Sequence, residues 1–518
     1  MTNPSQSVKH ERAILLIIIL LGLAMRLYGI DLSLVESHQI RQAQTAMMTR
    51  NLYEDHLDIF HTRLDFFGNV PGYIIMEFPL MHTITAWLYN VFGVHEFLGR
   101  LVNVVFSVGA IVLMYGLARQ FLPVKGALAA LVLYTFSPMN IFFSRAFMAE
   151  SSMMFFMAGA VYFFLIWLDK QTLTLYVTAT IFAALACLTK PTAGLIFAPI
   201  ITAWSVRDGW RMLKRFDFWL YLFFTMMPII LWAVYAHYLN AIYASTYVIP
   251  GFGDKWIDII TKRGGIIEHW IDPKFYKFVG GSLIFLLLTP LGFMGTAWGI
   301  CCAWQDRNKT LLVWLAAMIA YFYVLAGANS GHIYYHLPLL PVAAIFFGFS
   351  VEWLLSQQDI IKEKLKRKSI LWLSRAVVLL MVISYGAGYV KYFRYMYSNR
   401  MPYVLEVSEI IKKQTPQNRF VIDNGGSEVL TSVLSYYCYG KSRWFPDRLR
   451  GEQAIAELEK LRTQGATTFV TMETDYNNHV PVTLKNKIFW DYLNEHYEAL
   501  AVTDHYHIFD LRVPKIKG

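Results

Sequence analysis

Charge is what this 518-residue chain has little of: only 16% of its residues are Asp, Glu, Lys or Arg, against roughly a quarter in soluble domains. So few charges cannot wet a surface of this size on all sides, which excludes an ordinary water-soluble enzyme. Cysteine is scarce too. The four copies, Cys187, Cys301, Cys302 and Cys438, form no CxxC and stand at no zinc-ligand spacing with histidine, so neither a disulfide scaffold nor a zinc module is expected. A full GxGxxG or Walker fingerprint is missing, as are internal repeats and low-complexity tracts. No basic ribbon interleaved with aromatics suggests a nucleic-acid partner. Acidic residues are the minority sign, 36 against 46 basic, for a net charge of +10; in so apolar a chain the basic surplus belongs to cytoplasmic loops.

What replaces charge is hydrocarbon and aromatic surface: 56% of residues are hydrophobic, with 15 Trp, 31 Tyr and 37 Phe, a composition suited to many bilayer interfaces. Runs of spanning length fall near 12–30, 98–120, 125–143, 150–168, 173–189, 191–206, 217–239, 278–302, 310–327, 336–355 and 369–391, about eleven in all. The first, from Ala13 to Ile30, follows Lys9 and Arg12 and precedes no cleavage site, so it reads as a retained span. The basic loops at Arg207, Arg211, Lys214 and Arg215 and at Lys362, Lys364, Lys366, Arg367 and Lys368 then face the cytoplasm. An odd span count places the first loop (31–97), the segments 240–277 and 327–335, and the tail from about 393 outside.

The tail changes character. Helical periodicity near Val404–Lys413, Glu428–Tyr437, Ala454–Arg462 and Leu484–His496 alternates with strands at Phe420–Asp423 and Thr467–Met472, and a hairpin-like stretch runs to Leu511. The fold class expected is therefore an α-helical polytopic membrane module, residues 1–392, with a small extracytoplasmic α/β domain, residues 393–518. Gly425-Gly426 in that domain reads as a turn.

Ionisable residues gather on the external side. The first loop holds Glu36, His38, Arg41, Asp65 and Glu77, with a helix over Ser37–Tyr53 expected to lie in the membrane interface. Arg145 and Glu150 stand between two spans, Lys190 in LTKPTAG between two more, Arg263, Glu268 and His269 in the second large loop, and His332, Tyr334, Tyr335 and His336 at a span start. Each alone reads as a snorkelling side chain or an interface ring. Converging from five loops, they read as a site, because ionisable groups at membrane depth are costly. No nucleotide pool exists on that face, so group transfer there needs a donor delivered in the bilayer. A polyprenyl-phosphate sugar fits, with a carboxylate as base on an acceptor hydroxyl and cations, Tyr, His or a metal offsetting charge on the leaving phosphate. The alternative is a transporter or flippase of lipid-linked sugars, but no matching pair of interrupted spans marks an inverted repeat.

The order EFPL (77–80), GRLVNVVFSV (99–108), SPMNIFFSRAFMAESSMMFF (137–156), LACLTKPTAGL (185–195) and HIYYHLPLLP (332–341) resembles the GT-C glycosyltransferases of family 39, which include aminoarabinose transferases of lipid A and protein O-mannosyltransferases. The resemblance implies a glycosyltransferase of the cytoplasmic membrane that takes a polyprenyl-phosphate sugar to a hydroxyl of lipid A, a surface polysaccharide or protein. It also implies a first-loop acid as catalytic base. Aligning the apolar anchor selects Glu36, whereas aligning Arg41 and Ala43 puts His38 and Gln39 at the acidic pair; Glu36 is the choice made, with Asp65 the other first-loop acid. Glu77 matches the acidic neighbour of the family's cation-Pro-Pro motif and Glu150 its second external acid, while Phe78 replaces the cation. Phosphate binding then passes to Lys190, Arg145 or Arg263, with Arg41, His332, Tyr334 and Tyr335 nearby. Relatives that bind a divalent metal do so through a first-loop carboxylate and a later histidine, which selects Glu77 and His269.

Overall fold

The computed structural model describes residues 4–75, 77–243, 265–357, 394–415, 419–424, 431–446, 448–472 and 486–515, with isolated positions between 372 and 390. Its first ten helices are α1 (Pro4–Leu27), α2 (Gln39–Glu54), α3 (Leu80–Phe92), α4 (Glu96–Ala118), α5 (Val124–Phe136), α6 (Pro138–Phe143), α7 (Glu150–Lys170), α8 (Leu173–Thr189), α9 (Phe197–Asp208) and α10 (Phe216–Tyr243). Among the described residues, α4, α7, α10 and Ile333–Ser356 are each long and apolar enough to cross a membrane, and the pair Pro273–Leu287 and Thr289–Gln305, bent by 100°, adds a fifth if it is one span. The shorter apolar helices α5, α8 and Lys309–Val324 pack among them. Prolines make two breaks, one inside the expected span at 125–143 and one at the boundary expected between 173–189 and 191–206. Pro138 cannot continue α5 and starts α6, and Pro191 ends α8 and opens the short 3-10 turn Pro191–Ile196 ahead of α9. The expected span at 369–391 lies largely outside the described residues, as does Gly425-Gly426.

Small residues set the spacing of these helices. At Gly109 and Gly116 of α4 an added Cβ would come within 2.6 Å of the Phe155 ring and 2.7 Å of the Tyr162 ring on α7. Lipid supplies no hydrophobic drive for helix pairing, so close van der Waals approach of this kind does the holding.

The tail forms a five-stranded sheet of order β2-β1-β3-β5-β4, with β1 (Phe420–Asp423), β2 (Lys441–Trp444), β3 (Thr468–Met472), β4 (Glu498–Val502) and β5 (Tyr506–Asp510). β1 runs parallel to β2 and β3, and β5 is antiparallel to β3 and β4. Strand alternation sends side chains to two cores. Phe420, Ile422, Phe469 and Phe509 pack with Leu458 and Leu493 from the helices Gly451–Thr463 and Lys487–His496. Val421, Val470 and Ile508 face the other way and share a core with Ala43, Met47, Leu64 and Phe66 of the first loop.

That shared core corrects one expectation. α2 is enclosed along almost its whole length, from Gln42 to Leu52, so it does not lie in the membrane interface. Arg50 donates to the Tyr436 carbonyl at 2.9 Å, and the stretch from Asp65 to Gly68 exchanges two 2.7 Å backbone bonds with Ser442 on β2. The first loop and the tail thus pack together as one layer.

Candidate active site

Local backbone rules place two carboxylates and two cations together. Glu150 is the first residue of α7, where the helix dipole favours a negative charge. Lys190 ends α8; the following Pro191 keeps it extended, at φ −159° and ψ 124°, and its ammonium meets Glu150 in a buried ion pair. The same Nζ lies 4.5 Å from the Tyr334 ring centroid and 5.2 Å from that of Tyr335, within cation–π range. Arg41, in the first turn of α2, donates to both oxygens of Glu77 at 2.6 and 2.5 Å. The Phe78 N–H donates to the Leu188 carbonyl at 3.1 Å, which brings EFPL beside the end of α8.

These pairs act on one another. Burial works to raise the Glu77 carboxyl, but Arg41 and then Lys190 outweigh it and hold it below the ordinary carboxylate range. Burial likewise opposes the charge on Arg41, and Glu77, Tyr334 and Glu150 hold it above its ordinary value. His332 is pushed down by burial and by Lys190 and Arg41. Beside this cluster opens a cavity of about 920 Å³ lined by His38, His269, Lys274, Lys277 and Arg400 among others.

The expected residues therefore divide. Arg41, Glu77, Glu150, Lys190, His332, Tyr334 and Tyr335 come together, and His38 borders them, with its ring centroid 5.2 Å from Tyr334 and 6.4 Å from His332. Glu36 does not join them. Both of its oxygens are taken, one by Arg100 at 2.8 Å and the other by Arg145, and all three side chains are buried. Arg145 is spent there as well: it donates to the Gly29 carbonyl at 2.9 Å and stacks 4.2 Å over Tyr397, so the structure withdraws it from the phosphate-binding set. Asp65 sits in the layer formed by the first loop and the tail, accepting from Arg63 at 2.7 Å, Asn51 at 3.1 Å and Arg50 at 3.3 Å. Arg263 lies outside the described residues.

For a metal, the donor set does not fit. Both oxygens of Glu77 carry Arg41, His269 stands on the cavity wall, and no group of three His, Cys, Asp or Glu side chains among the described residues is spaced to share an ion. Two participants were missed. Arg100 is a charge inside an apolar run, a signal the sequence carried; Arg400 and its neighbours Tyr395 and Met396 line the cavity from the start of the tail, and nothing local marks them.

Residues 77–235 match the family described as dolichyl-phosphate-mannose-protein mannosyltransferase. No curated protein matches the chain by sequence. Among solved structures, ArnT from Cupriavidus metallidurans bound to undecaprenyl phosphate is similar at 15% identity and a TM-score of 0.62, over 98% of each chain. The archaeal oligosaccharyltransferase AglB from Archaeoglobus fulgidus, in complex with an inhibitory peptide and a dolichol-phosphate, aligns at 13% identity and a TM-score of 0.60, over 89% of this chain and 69% of that one. The arabinofuranosyltransferase AftD from Mycobacteria aligns at 12% identity and 0.53, over 96% and 40%. The expected fold class, a GT-C-type helical membrane module with a small C-terminal sheet domain, is borne out, and so is the family resemblance read from the motifs.

Proposed function

We propose that the protein is an integral-membrane glycosyltransferase that moves a sugar from a polyprenyl phosphate to an acceptor hydroxyl. The observation that carries this reading is the buried pairing of Lys190 with Glu150 under the Tyr334 and Tyr335 rings, with the Arg41–Glu77 pair nearby and His38 standing between Tyr334 and a cavity of about 920 Å³. The lipid phosphates bound by ArnT and AglB support it. In the reaction the acceptor oxygen loses its proton to a base and bonds to the anomeric carbon. The bond from that carbon to the phosphate oxygen breaks, and polyprenyl phosphate leaves with the electron pair. Lys190 and Arg41, with hydrogen bonds from Tyr335 and His332, offset the charge that develops on the phosphate. Glu77 and Glu150 hold those two cations in place.

The same reading sets the orientation. Lys190 precedes the 3-10 turn that leads into α9, whereas Arg207, Arg211, Lys214 and Arg215 lie at the far end of that 12-residue helix, which is about 18 Å long. With the basic end cytoplasmic, the cluster and the tail are extracytoplasmic, in the cytoplasmic membrane. A reporter fused at Gly518 is then active only if it is one that works after export.

The enzymatic test uses purified protein and a panel of radiolabelled undecaprenyl-phosphate sugars, following label that leaves the lipid. Release of undecaprenyl phosphate supports transfer to water or to an added acceptor. Movement of intact donor across proteoliposomes without cleavage would instead support a transporter of lipid-linked sugars.

A further inference from the structure

Among the candidate bases one residue is strained, unbonded and turned to the cavity. His38 has φ 58° and ψ 31°, in the left-handed region, at the N-cap of α2, and its side chain makes no capping bond. An N-cap is ordinarily extended and carries an oxygen that caps the first turn. Here both are given up, and the neighbouring backbone is tied to keep it so. Ser37 N–H donates to the Met396 carbonyl at 2.9 Å, Gln42 N–H to the His38 carbonyl at 3.0 Å, and the Gln42 amide to the Ser37 carbonyl at 2.9 Å. Strain that the surroundings over-determine points to use rather than accident.

The ring stands where two spaces meet. Its centroid lies 5.3 Å from Phe143 and 5.2 Å from Tyr334, and the residue lines the cavity. No hydrogen bond occupies the imidazole among the described residues. Three carboxylates are engaged at both oxygens, Glu36 by two arginines, Asp65 by Arg50 and Arg63, and Glu77 by Arg41, while Glu150 gives one oxygen to Lys190 and is buried to 1% exposure away from the residues that line the cavity.

We infer that His38 is the general base of the transfer, its imidazole nitrogen taking the proton of the acceptor hydroxyl as the bond to the anomeric carbon forms. This deepens the glycosyltransferase reading and rests on it. Burial, with His332, Lys190 and Arg400 close by, pushes His38 down to about 3, so without donor the ring is neutral and only weakly basic. A donor phosphate placed among those cations offsets their charge and raises the basicity of the ring when the proton must be taken. The imidazolium then returns its proton to solvent through the cavity.

The test compares wild type with His38→Asn, which keeps a residue tolerated in the left-handed region but supplies no base. Release of undecaprenyl phosphate from a radiolabelled undecaprenyl-phosphate sugar should fall at least about 100-fold, while binding of undecaprenyl phosphate changes by no more than about threefold. His38→Asp should recover at least about tenfold over His38→Asn, because a carboxylate again supplies a base at that place; Tyr334, His332, Lys190 and Arg400, which face position 38, are the same in both. His38→Gly, the variant easiest to fold at this φ, should regain turnover with added imidazole. Turnover in His38→Asn within about threefold of wild type overturns the inference, as does a loss that neither His38→Asp nor imidazole recovers. Wild type that binds the lipid but cleaves no sugar in the panel counts against the glycosyltransferase reading itself, which keeps the two failures apart.

Discussion

Glu36 and Glu150 are both carboxylates buried to 2% and 1% exposure, one in the loop after α1 and the other at the first position of α7, and both are neutralised by ion pairs. Their partners differ. Glu36 is held by two guanidiniums that also bond to main-chain carbonyls: Arg100 to those of Gly29, Ile30 and Leu32, Arg145 to that of Gly29. Every direction around it is closed, and the clamp ties the end of α1 to α4 and to the turn after α6. Glu150 has a single ammonium on Oε1 and no hydrogen-bond partner on Oε2 among the described residues, and that ammonium also faces two tyrosine rings. A planar guanidinium gives fixed, multidentate geometry, whereas a lysine is a point charge on a flexible stem. The first cluster is built to hold the chain and the second to meet a ligand.

Breaking the closed cluster should have the largest effect on stability. Glu36→Gln leaves two buried arginines without a counter-charge, and losing one partner of a buried pair costs about 3–5 kcal/mol. Thermal unfolding in detergent should show that loss, with turnover per folded molecule retained. A stable Glu36→Gln protein with abolished turnover would reverse the comparison and make Glu36 the base.

The open cluster should answer in binding. Lys190→Ala should weaken undecaprenyl phosphate binding by about 10- to 100-fold, the scale of a charge-assisted hydrogen bond of 1.5–3 kcal/mol, and should destabilise the fold by stranding Glu150. The double variant Lys190→Met, Glu150→Gln sharpens the contrast: stability should recover and lipid binding should not. Unchanged binding in Lys190→Ala would move the phosphate to the cations that line the cavity, Lys274, Lys277 and Arg400.

A smaller effect is expected from pH. Arg41 and Lys190 hold Glu77 below the carboxylate range against burial, so its folded value lies under its unfolded one. Its contribution to stability is then present at neutral pH and is lost as pH falls through the folded value. Unfolding temperature against pH should lose that acid-side slope in Glu77→Gln; an unchanged slope would mean the Arg41–Glu77 pair adds nothing. The smallest change is Tyr335→Phe, which keeps the ring over Lys190 and removes only the hydroxyl. Losing one hydrogen bond of about 1 kcal/mol predicts about a fivefold fall in turnover, and full activity would leave Tyr335 as a ring against the lysine and no more.

Legibility followed the range of the interactions. The Lys190-Pro191 break was readable because a proline acts on its immediate neighbour, and the tail's strands at 420–423 and 468–472 were readable because alternation is local. The enclosure of α2 was not: residues such as Met47 and Met48 suit a membrane interface as well as a protein core, and only the docked tail, hundreds of residues away, decides between them. The engagement of Glu36 was hidden for the same reason. An acid after the first span looks poised for catalysis until Arg100 and Arg145 arrive from two other segments.

By itself the sequence determined that this is a many-span membrane protein with its ionisable residues gathered on one face and a small α/β tail, because hydropathy, charge placement and strand alternation are properties of short stretches. Which acid is paired with which cation, which side chain is left to face the cavity, and that the left-handed residue at the head of α2 is a histidine without a hydrogen bond were decided only by tertiary structure. Ion pairing and burial depend on distance in space, and at separations of 36 to 109 residues between partners local pattern carries no information about it.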